Sequence, residues 1–435
     1  PAPADNIYYR SGFSFKRGSN SRTVREVVEA GFSVLNLASD LEKSVIPFLW
    51  AHLGLLWTLF AKAGYPPRAL LYLSGVSGSL KTAVCKMLFN FTAIPEQDIP
   101  ASFRDTSASM EISIEQYKDR VLLVDDFCPA ANKAARRTME QTLESLIRFY
   151  GDGNTKSRAD PRMDKVYVKK ARGLCAITGE DVAGSLSSRL RCLFLHVDKT
   201  TFKSKILKQF QSAPYLWTEY LACFVDALPI VISNVVEQIQ SIFPQCRDRA
   251  EKVLQERRLV DTYCCLEVTA QIVLEVASKI SGLDMKAQWQ DLFDQIVLNA
   301  CVTSEQHSTQ QLPERLFADT LMTLIQRQDV RLGKKEEFIE MPQAYLGAVV
   351  DGYWYLWPQE TYQAVVTYFN AGGGTFPLTA NALWEALSNA GILIRSKTNR
   401  KGKLCYENGT KVSFAGRPRL LKIDPARLQE VAEAE

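Results

Sequence analysis

Only three histidines occur in 435 residues, and no His/Cys set stands at zinc spacing. The ten cysteines are scattered without a Cys-x-x-Cys pair, which excludes zinc-finger and dithiol redox patterns. Thiols used this way read as reduced, and so as cytoplasmic rather than secreted. Charge of one sign is missing as well: 52 basic residues face 48 acidic ones, a net charge of +4. Any basic surface must come from local clustering. Uninterrupted apolar runs of membrane length are absent. The strongest, Val45 to Ala61, contains Pro47, His52 and Gly54, and reads as a buried helix with no membrane role. No repeat, low-complexity tract or signal-peptide pattern is visible. The chain opens Pro-Ala-Pro-Ala without a methionine and reads as a piece of a longer polypeptide.

What is present is an ordinary globular composition, 46% hydrophobic and 23% charged, enough for two or three domains with real cores. Its sharpest feature is residues 71–82. A short apolar strand runs into Gly75-Val76-Ser77-Gly78-Ser79-Leu80-Lys81-Thr82, followed by a helix-forming stretch. This is nearly the phosphate-binding loop pattern, in which backbone N–H groups at a helix start wrap a phosphate chain. A lysine then reaches the terminal phosphates and a hydroxyl holds magnesium. Leu80 departs from it, standing where the pattern has its second glycine; its side chain must point away from the phosphates.

About forty residues on, Val121-Leu122-Leu123-Val124-Asp125-Asp126 reads as a buried parallel strand that delivers two acids to its C-terminal edge. Asp125 is the expected magnesium ligand and Asp126 the group that orients or deprotonates water. A third apolar run, Gly173 to Thr178, and a fourth, Cys192 to Val197, complete the expected strands, with Ala69 to Ser74 as the first. A helix is expected near residues 22–30. The coarse division is 1–44 helical or linker, 45–202 an α/β nucleotide-binding core and 203–335 a helical lid. Thr303 to Gln311 is expected as a loop within that lid, and 336–435 as a small basic domain.

Basic residues cluster twice. Between the acid pair and Thr178 lie Lys156, Arg158, Lys169 and Lys170, in a glycine- and proline-containing stretch that suits either a nucleic-acid-tracking hairpin or a solvated loop. In the C-terminal part, helices over Thr361 to Phe369 and Thr379 to Ala390 precede alternating segments near 392–394, 403–406 and 420–423. That order reads as a winged helix-turn-helix. Arg395, Lys397, Arg400, Lys401, Lys403, Arg417 and Arg419 give it a footprint for DNA phosphates, although many winged helices bind protein. The aromatic run Tyr353 to Trp357 reads as packing between domains rather than a base-stacking platform.

Taken together, Gly-x-Ser-Gly-Ser-x-Lys-Thr, Val-Asp-Asp-Phe, Ile-Thr-Gly-Glu-Asp and Ser-x-x-Arg resemble AAA+ ATPases of bacterial mobile elements. These are related to the replicative helicases of staphylococcal cassette chromosomes, and through them to superfamily III and minichromosome maintenance proteins. The resemblance covers roughly residues 60–425 and implies ATP and magnesium as cofactors. It further implies a hexameric ring, ATP hydrolysis at subunit interfaces and replication of an excised element on single-stranded or forked DNA. Thr178 would sense the γ-phosphate. Ser188-Arg189-Leu190 is similar to a Ser-Arg-Phe arginine finger, which makes Arg189 the expected finger and Arg191 the alternate. Arg258 would be the second sensor. A reading from another class is an ATP-switched DNA-bound assembly or regulatory factor that does not unwind.

Overall fold

The computed structural model describes residues 22–89, 101–128, 133–153, 158–159, 166–167, 169–180, 186–309, 312–371, 376, 378–394, 410–411 and 419–433. The chain divides into two compact units, residues 1–305 and 306–435.

The first unit is built on a parallel sheet ordered β2-β3-β6-β1-β7. Its strands are β1 (Leu70–Ser74), β2 (Ala101–Ser102), β3 (Val121–Phe127), β6 (Leu174–Gly179) and β7 (Cys192–His196). A separate antiparallel hairpin pairs β4 (Arg158–Ala159) with β5 (Val166–Tyr167). Within the sheet, side chains alternate between two cores, as the period of two requires. Leu71, Leu73, Val121, Leu123, Leu193 and Leu195 enter one apolar cluster. Leu70, Tyr72, Leu122, Val124, Cys192 and Phe194 enter the other. Both faces are buried, which is why these strands read as continuous apolar runs in the sequence.

Helix Glu42–Lys62 is long and apolar enough to cross a membrane, yet most of it is buried inside this unit. Its Trp50 indole N–H donates to the Cys175 carbonyl at 3.2 Å, tying helix to sheet. The helices Ser204–Ser212, Tyr215–Val231, Val235–Ala250, Arg257–Ser281 and Met285–Thr309 follow. Their apolar residues, from Leu207 to Cys301, join the same cluster as one face of the sheet. Where a loop is expected from Thr303, the last of these helices continues to Thr309. Its polar residues are used by the fold: Ser304 Oγ accepts from Phe194 N at 3.0 Å, and Glu305 Oε1 accepts from Gln255 N and Glu256 N. Polarity here marks tertiary hydrogen bonds rather than a break in the helix.

The second unit holds a five-stranded sheet ordered β11-β12-β10-β9-β8. Its strands are β8 (Leu332–Lys334), β9 (Gly347–Val350), β10 (Tyr353–Leu356), β11 (Thr410–Lys411) and β12 (Arg419–Ile423). Helices Pro313–Gln326, Lys335–Glu340, Pro358–Ala371, Ala380–Asn389 and Pro425–Glu433 accompany it. The two helices expected from the sequence are present, the first longer than expected by about a turn. The aromatic run, read from sequence as domain packing, forms strand β10 of this sheet up to Leu356. Its Trp354 and Leu356 pack into the unit's own core.

A buried histidine makes the first unit sensitive to acid. His52 is fully enclosed, its ring set among Phe48, Trp217, Tyr220 and Phe224. Its Nδ1 lies 2.8 Å from the Phe48 carbonyl, which can only accept, so Nδ1 carries the proton and Nε2 accepts from the Tyr220 hydroxyl at 3.0 Å. Burial pushes its pKa down to about 4. Between there and the unfolded value near 6.5 the unfolded chain binds the extra proton, so stability falls as pH drops through that window. We expect a loss of about 3 kcal/mol between pH 7 and pH 4 from this group. Urea unfolding of wild type and His52→Gln across that range checks it: the stability difference between the two proteins should shrink toward low pH, and a constant difference would exclude His52 as the source.

Candidate nucleotide-binding site

The parallel register brings the C-terminal ends of the central strands to one edge. Leu73 lies beside Thr178, Ser74 beside Gly179 and His196, and Val124 beside Ile177. The loop after β1 therefore opens next to the ends of β3 and β6. It leads into helix Lys81–Phe89, whose N-terminus faces the loop. Gly75 is required by crowding: a Cβ there would stand 1.9 Å from the Val197 carbonyl oxygen.

Leu80 adopts φ 64°, in the left-handed region that favours glycine. The backbone thus keeps the glycine geometry of the pattern although the residue is leucine, at a cost of about 1–2 kcal/mol. The leucine side chain packs against the main apolar cluster, which offsets part of that cost. Asp126, across the cavity, also has φ 64°, next to an irregularity in the β3–β6 register. Two strained non-glycine residues line a single cavity, as recurs at working sites.

That cavity has a volume of about 270 Å3 and is lined by Ser77 to Ala83, Asp126 and Thr178 to Glu180. Lys81, 8% exposed, donates its ammonium protons to Gly75 O at 2.6 Å, Val76 O at 3.0 Å and Ser79 Oγ at 3.1 Å. Burial lowers its pKa, opposed first by Glu180 and then by Asp126 and Asp125. Asp125 Oδ1 accepts from Thr82 Oγ1 at 2.7 Å and from Thr178 Oγ1 at 2.5 Å. The same Thr178 oxygen accepts from Asp126 N at 3.2 Å. One carboxylate oxygen therefore joins the phosphate loop, β3 and β6.

The structure brings Gly75 to Thr82, Asp125, Asp126 and Thr178 into a single site. Sequence reasoning assigned no part to Glu180, which lines the cavity and is the first of the carboxylates acting on Lys81. Its position two residues after Thr178 was the only available signal. It also passed over Lys199, whose Cε would be 3.9 Å from a Cβ on Gly78. Only the fold shows that contact, because the end of β7 lies beside β1.

The donor set fits a hard divalent cation. Hydroxyl and carboxylate oxygens of Thr82 and Asp125 are suitable ligands. Three carboxylates, Asp125, Asp126 and Glu180, surround one lysine, so a polyphosphate would enter most readily with its charge neutralised. Among the described residues no three His, Cys, Asp or Glu side chains cluster to bind a metal by themselves.

The arginines lie elsewhere. Arg189 ends the short helix Leu186–Arg189 just before β7, with Arg191 two residues on. Since β7 runs parallel to β1, both stand at the edge of the sheet away from the phosphate loop, about 13 Å along the strands. Arg189 is 7% and Arg191 9% exposed, and Arg191 Nη2 pairs with Asp152 Oδ1 at 3.0 Å. Arg258 is exposed in the first turn of helix Arg257–Ser281. Lys169 lies 3.9 Å from Glu115, Lys170 is exposed, and Arg158 belongs to the β4–β5 hairpin. Arg419 is exposed on β12. Lys156, Arg395, Lys397, Arg400, Lys401, Lys403 and Arg417 fall outside the described residues.

The fold and this site define an α/β protein with a parallel central sheet and a glycine-containing loop and cavity at the C-terminal ends of its strands. No protein-family model and no curated protein matches the chain. Among solved structures, 97% of it aligns with 73% of "SCCmec type IV Cch - active helicase", at TM-score 0.60 and 12% identity. That likeness is one of fold alone. The C-terminal region of NrS-1 aligns with 95% of the chain over 77% of its own length, at TM-score 0.34 and 11% identity. JCV helicase aligns with 59% over 69%, at TM-score 0.29 and 11% identity. Only the first carries weight.

Strain at Leu80 yields a reversed ranking of substitutions. At an ordinary helical site alanine outranks glycine by about 1 kcal/mol. Here Leu80→Gly should be more stable than Leu80→Ala by about 1 kcal/mol, because only glycine relieves the left-handed backbone. Denaturant midpoints of the two variants decide it; equal or inverted stability would remove the strain argument.

Proposed function

We propose that this chain is an ATP-hydrolysing DNA helicase of a mobile genetic element, an AAA+ protein acting as a hexameric ring in replication. The observation that carries the reading is the Asp125 carboxylate holding the hydroxyls of Thr82 and Thr178 beneath a phosphate loop. In this reading the loop N–H groups and the helix N-terminus bind the phosphates. Lys81 exchanges its loop carbonyl partners for the terminal phosphates. Thr82 and Asp125 would hold magnesium, which when bound neutralises charge on the transferred phosphoryl group. Asp126, exposed at the cavity wall, orients the attacking water and takes its proton. Thr178 links the state of that wall to Asp125. The helices of residues 203–335 serve as the lid, with Arg258 as a second sensor. Residues 336–435, read as a winged helix, and the basic residues Lys156, Arg158, Lys169 and Lys170 meet DNA.

The sheet geometry supports an arginine that works in trans. Arg189 stands a strand length from its own chain's phosphate loop, so its use as a finger needs a neighbour's nucleotide. Arg191, the alternate, pairs with Asp152.

A strand-displacement assay on a forked duplex tests the reading directly. ATP-dependent displacement is expected; DNA-stimulated hydrolysis without displacement would instead identify an ATP-switched DNA-bound assembly factor. Lys81→Ala should lose nucleotide binding and turnover together, whereas Asp126→Asn should bind ATP normally yet fail to hydrolyse it. Wild-type turnover by Asp126→Asn would show that another group handles the water. Arg189→Ala should bind ATP but hydrolyse it about three to five orders of magnitude more slowly. Mixing it with Lys81→Ala protein should restore part of the activity through interfaces that pair an intact loop with an intact finger. Full activity of Arg189→Ala by itself would refute the trans mechanism.

A further inference from the structure

The surroundings of the loop after β1 are charged unequally. The acids Asp125, Asp126 and Glu180 come from the ends of β3 and β6, which lie on one side of β1 in the sheet. On the other side, β7 is followed by residues 199–212, which hold four lysines and no acid. Lys199, Lys203, Lys205 and Lys208 are all exposed. Lys199 is the one that reaches the loop. Its Cε would stand 3.9 Å from a Cβ on Gly78, and no other described residue beyond the chain neighbours would come within 4 Å of that position. Gly78 itself lines the cavity, so Lys199 adjoins the cavity at its β7 rim. The backbone that carries Lys199 is fixed on both sides. Val197 N donates to Ser74 O at 2.8 Å, and Lys203 N donates to Leu37 O at 2.7 Å. Between them Asp198 Oδ1 closes a turn, accepting from Thr200 N at 2.6 Å, Thr200 Oγ1 at 2.7 Å and Thr201 Oγ1 at 3.1 Å. Asp198 is thereby committed to its own turn, and the Lys199 ammonium joins no hydrogen bond or ion pair among the described residues.

We propose that Lys199 is a second phosphate-binding cation of the nucleotide site, meeting the phosphates nearest the nucleoside while Lys81 meets the terminal ones. The direction follows from strand order. In the reading above, the terminal phosphate and its magnesium lie toward Asp125, Asp126 and Thr178, on β3 and β6. A phosphate chain that crosses the loop from there has its nucleoside end toward β7, where Lys199 stands. Charge favours the same orientation. The carboxylates attract the metal-bound end of the chain, whereas the lysine stretch attracts the end that carries no metal. A lysine suits this place, because its flexible four-carbon stem lets a compact charge follow a phosphate from the rim. Its ammonium breaks no bond to the described protein when it moves.

The inference rests on the nucleotide-binding part of the reading above. It is tested by titrating the full chain with magnesium ADP and with a non-hydrolysable magnesium ATP analogue. Lys199→Ala should weaken binding of both by about 3- to 10-fold. Lys199→Glu should weaken both further, and Lys199→Arg, which keeps the charge, should retain most of the affinity. An equal loss for the two nucleotides marks the nucleoside side, since ADP lacks the terminal phosphate; a loss confined to the ATP analogue would overturn that placement. Lys208→Ala removes the same charge from helix Ser204–Ser212 and should bind both nucleotides nearly as wild type does. A loss there equal to that of Lys199→Ala would overturn a direct contact in favour of a diffuse field. Thermal midpoints without nucleotide report on folding, and Lys199→Gln, which keeps part of the stem, carries the test if Lys199→Ala lowers the midpoint. A wild-type chain that binds neither nucleotide sinks the nucleotide-binding reading itself. Wild-type binding that neither Lys199→Ala nor Lys199→Glu alters overturns only the role of Lys199.

Discussion

The site depends on one carboxylate oxygen. Asp125 Oδ1 accepts hydroxyls from Thr82, at the head of a helix, and from Thr178, at the end of a neighbouring strand. These residues come from three separate stretches of chain, and their meeting requires β1, β3 and β6 to run parallel and in register. That register in turn requires both faces of the sheet to be covered, because parallel strands are stable only when buried on both sides. The two apolar clusters supply that cover, one built with helix Glu42–Lys62 and the helices beyond residue 204, the other with helices Ser107–Gln116 and Lys133–Asp152. A defect in either cluster would reach the site through the position of Asp125.

The strain in the site follows from the same arrangement. Leu80 and Asp126 hold left-handed backbone conformations that their side chains disfavour. The surrounding structure over-determines both. Leu80 is anchored by its side chain in the main cluster, and Asp126 by its own N–H on Thr178. Strain of this kind persists because many packed contacts would have to be lost to release it. Polar burial is handled likewise: Lys81 lies under the loop only because three oxygens receive its ammonium protons.

Much of this was legible in the residue order. Apolar runs of four to six residues marked the central strands within a residue or two, since a strand buried on both faces has no polar positions to confuse the pattern. The loop after β1 and the acid pair stood out because they place particular residues at fixed spacing, and the structure brings them to one cavity. The stretch from Thr303 was misread because its serines and glutamate look like solvated loop residues in sequence, whereas Ser304 and Glu305 serve distant backbone N–H groups. The aromatic run Tyr353 to Trp357 was misplaced for a related reason. Composition alone does not tell which side of a strand is covered; the pairing of Trp354 with Ile423 and of Tyr355 with Lys422 does.

The sequence by itself determined the α/β class, the glycine-containing loop that leads from β1 into a helix and the presence of two acids and a threonine at strand ends. These are local properties, set by hydrophobic period and by residue chemistry within a few positions. Tertiary structure alone decided that Thr82, Asp125 and Thr178 share one oxygen, and that Glu180 and Lys199 stand near Lys81 and the loop. It also decided that Arg189 and Arg191 lie at the far edge of the sheet, with Arg191 held by Asp152. Each of these is a relation between residues tens of positions apart, set by strand order and register, and neither is written in any single stretch of chain.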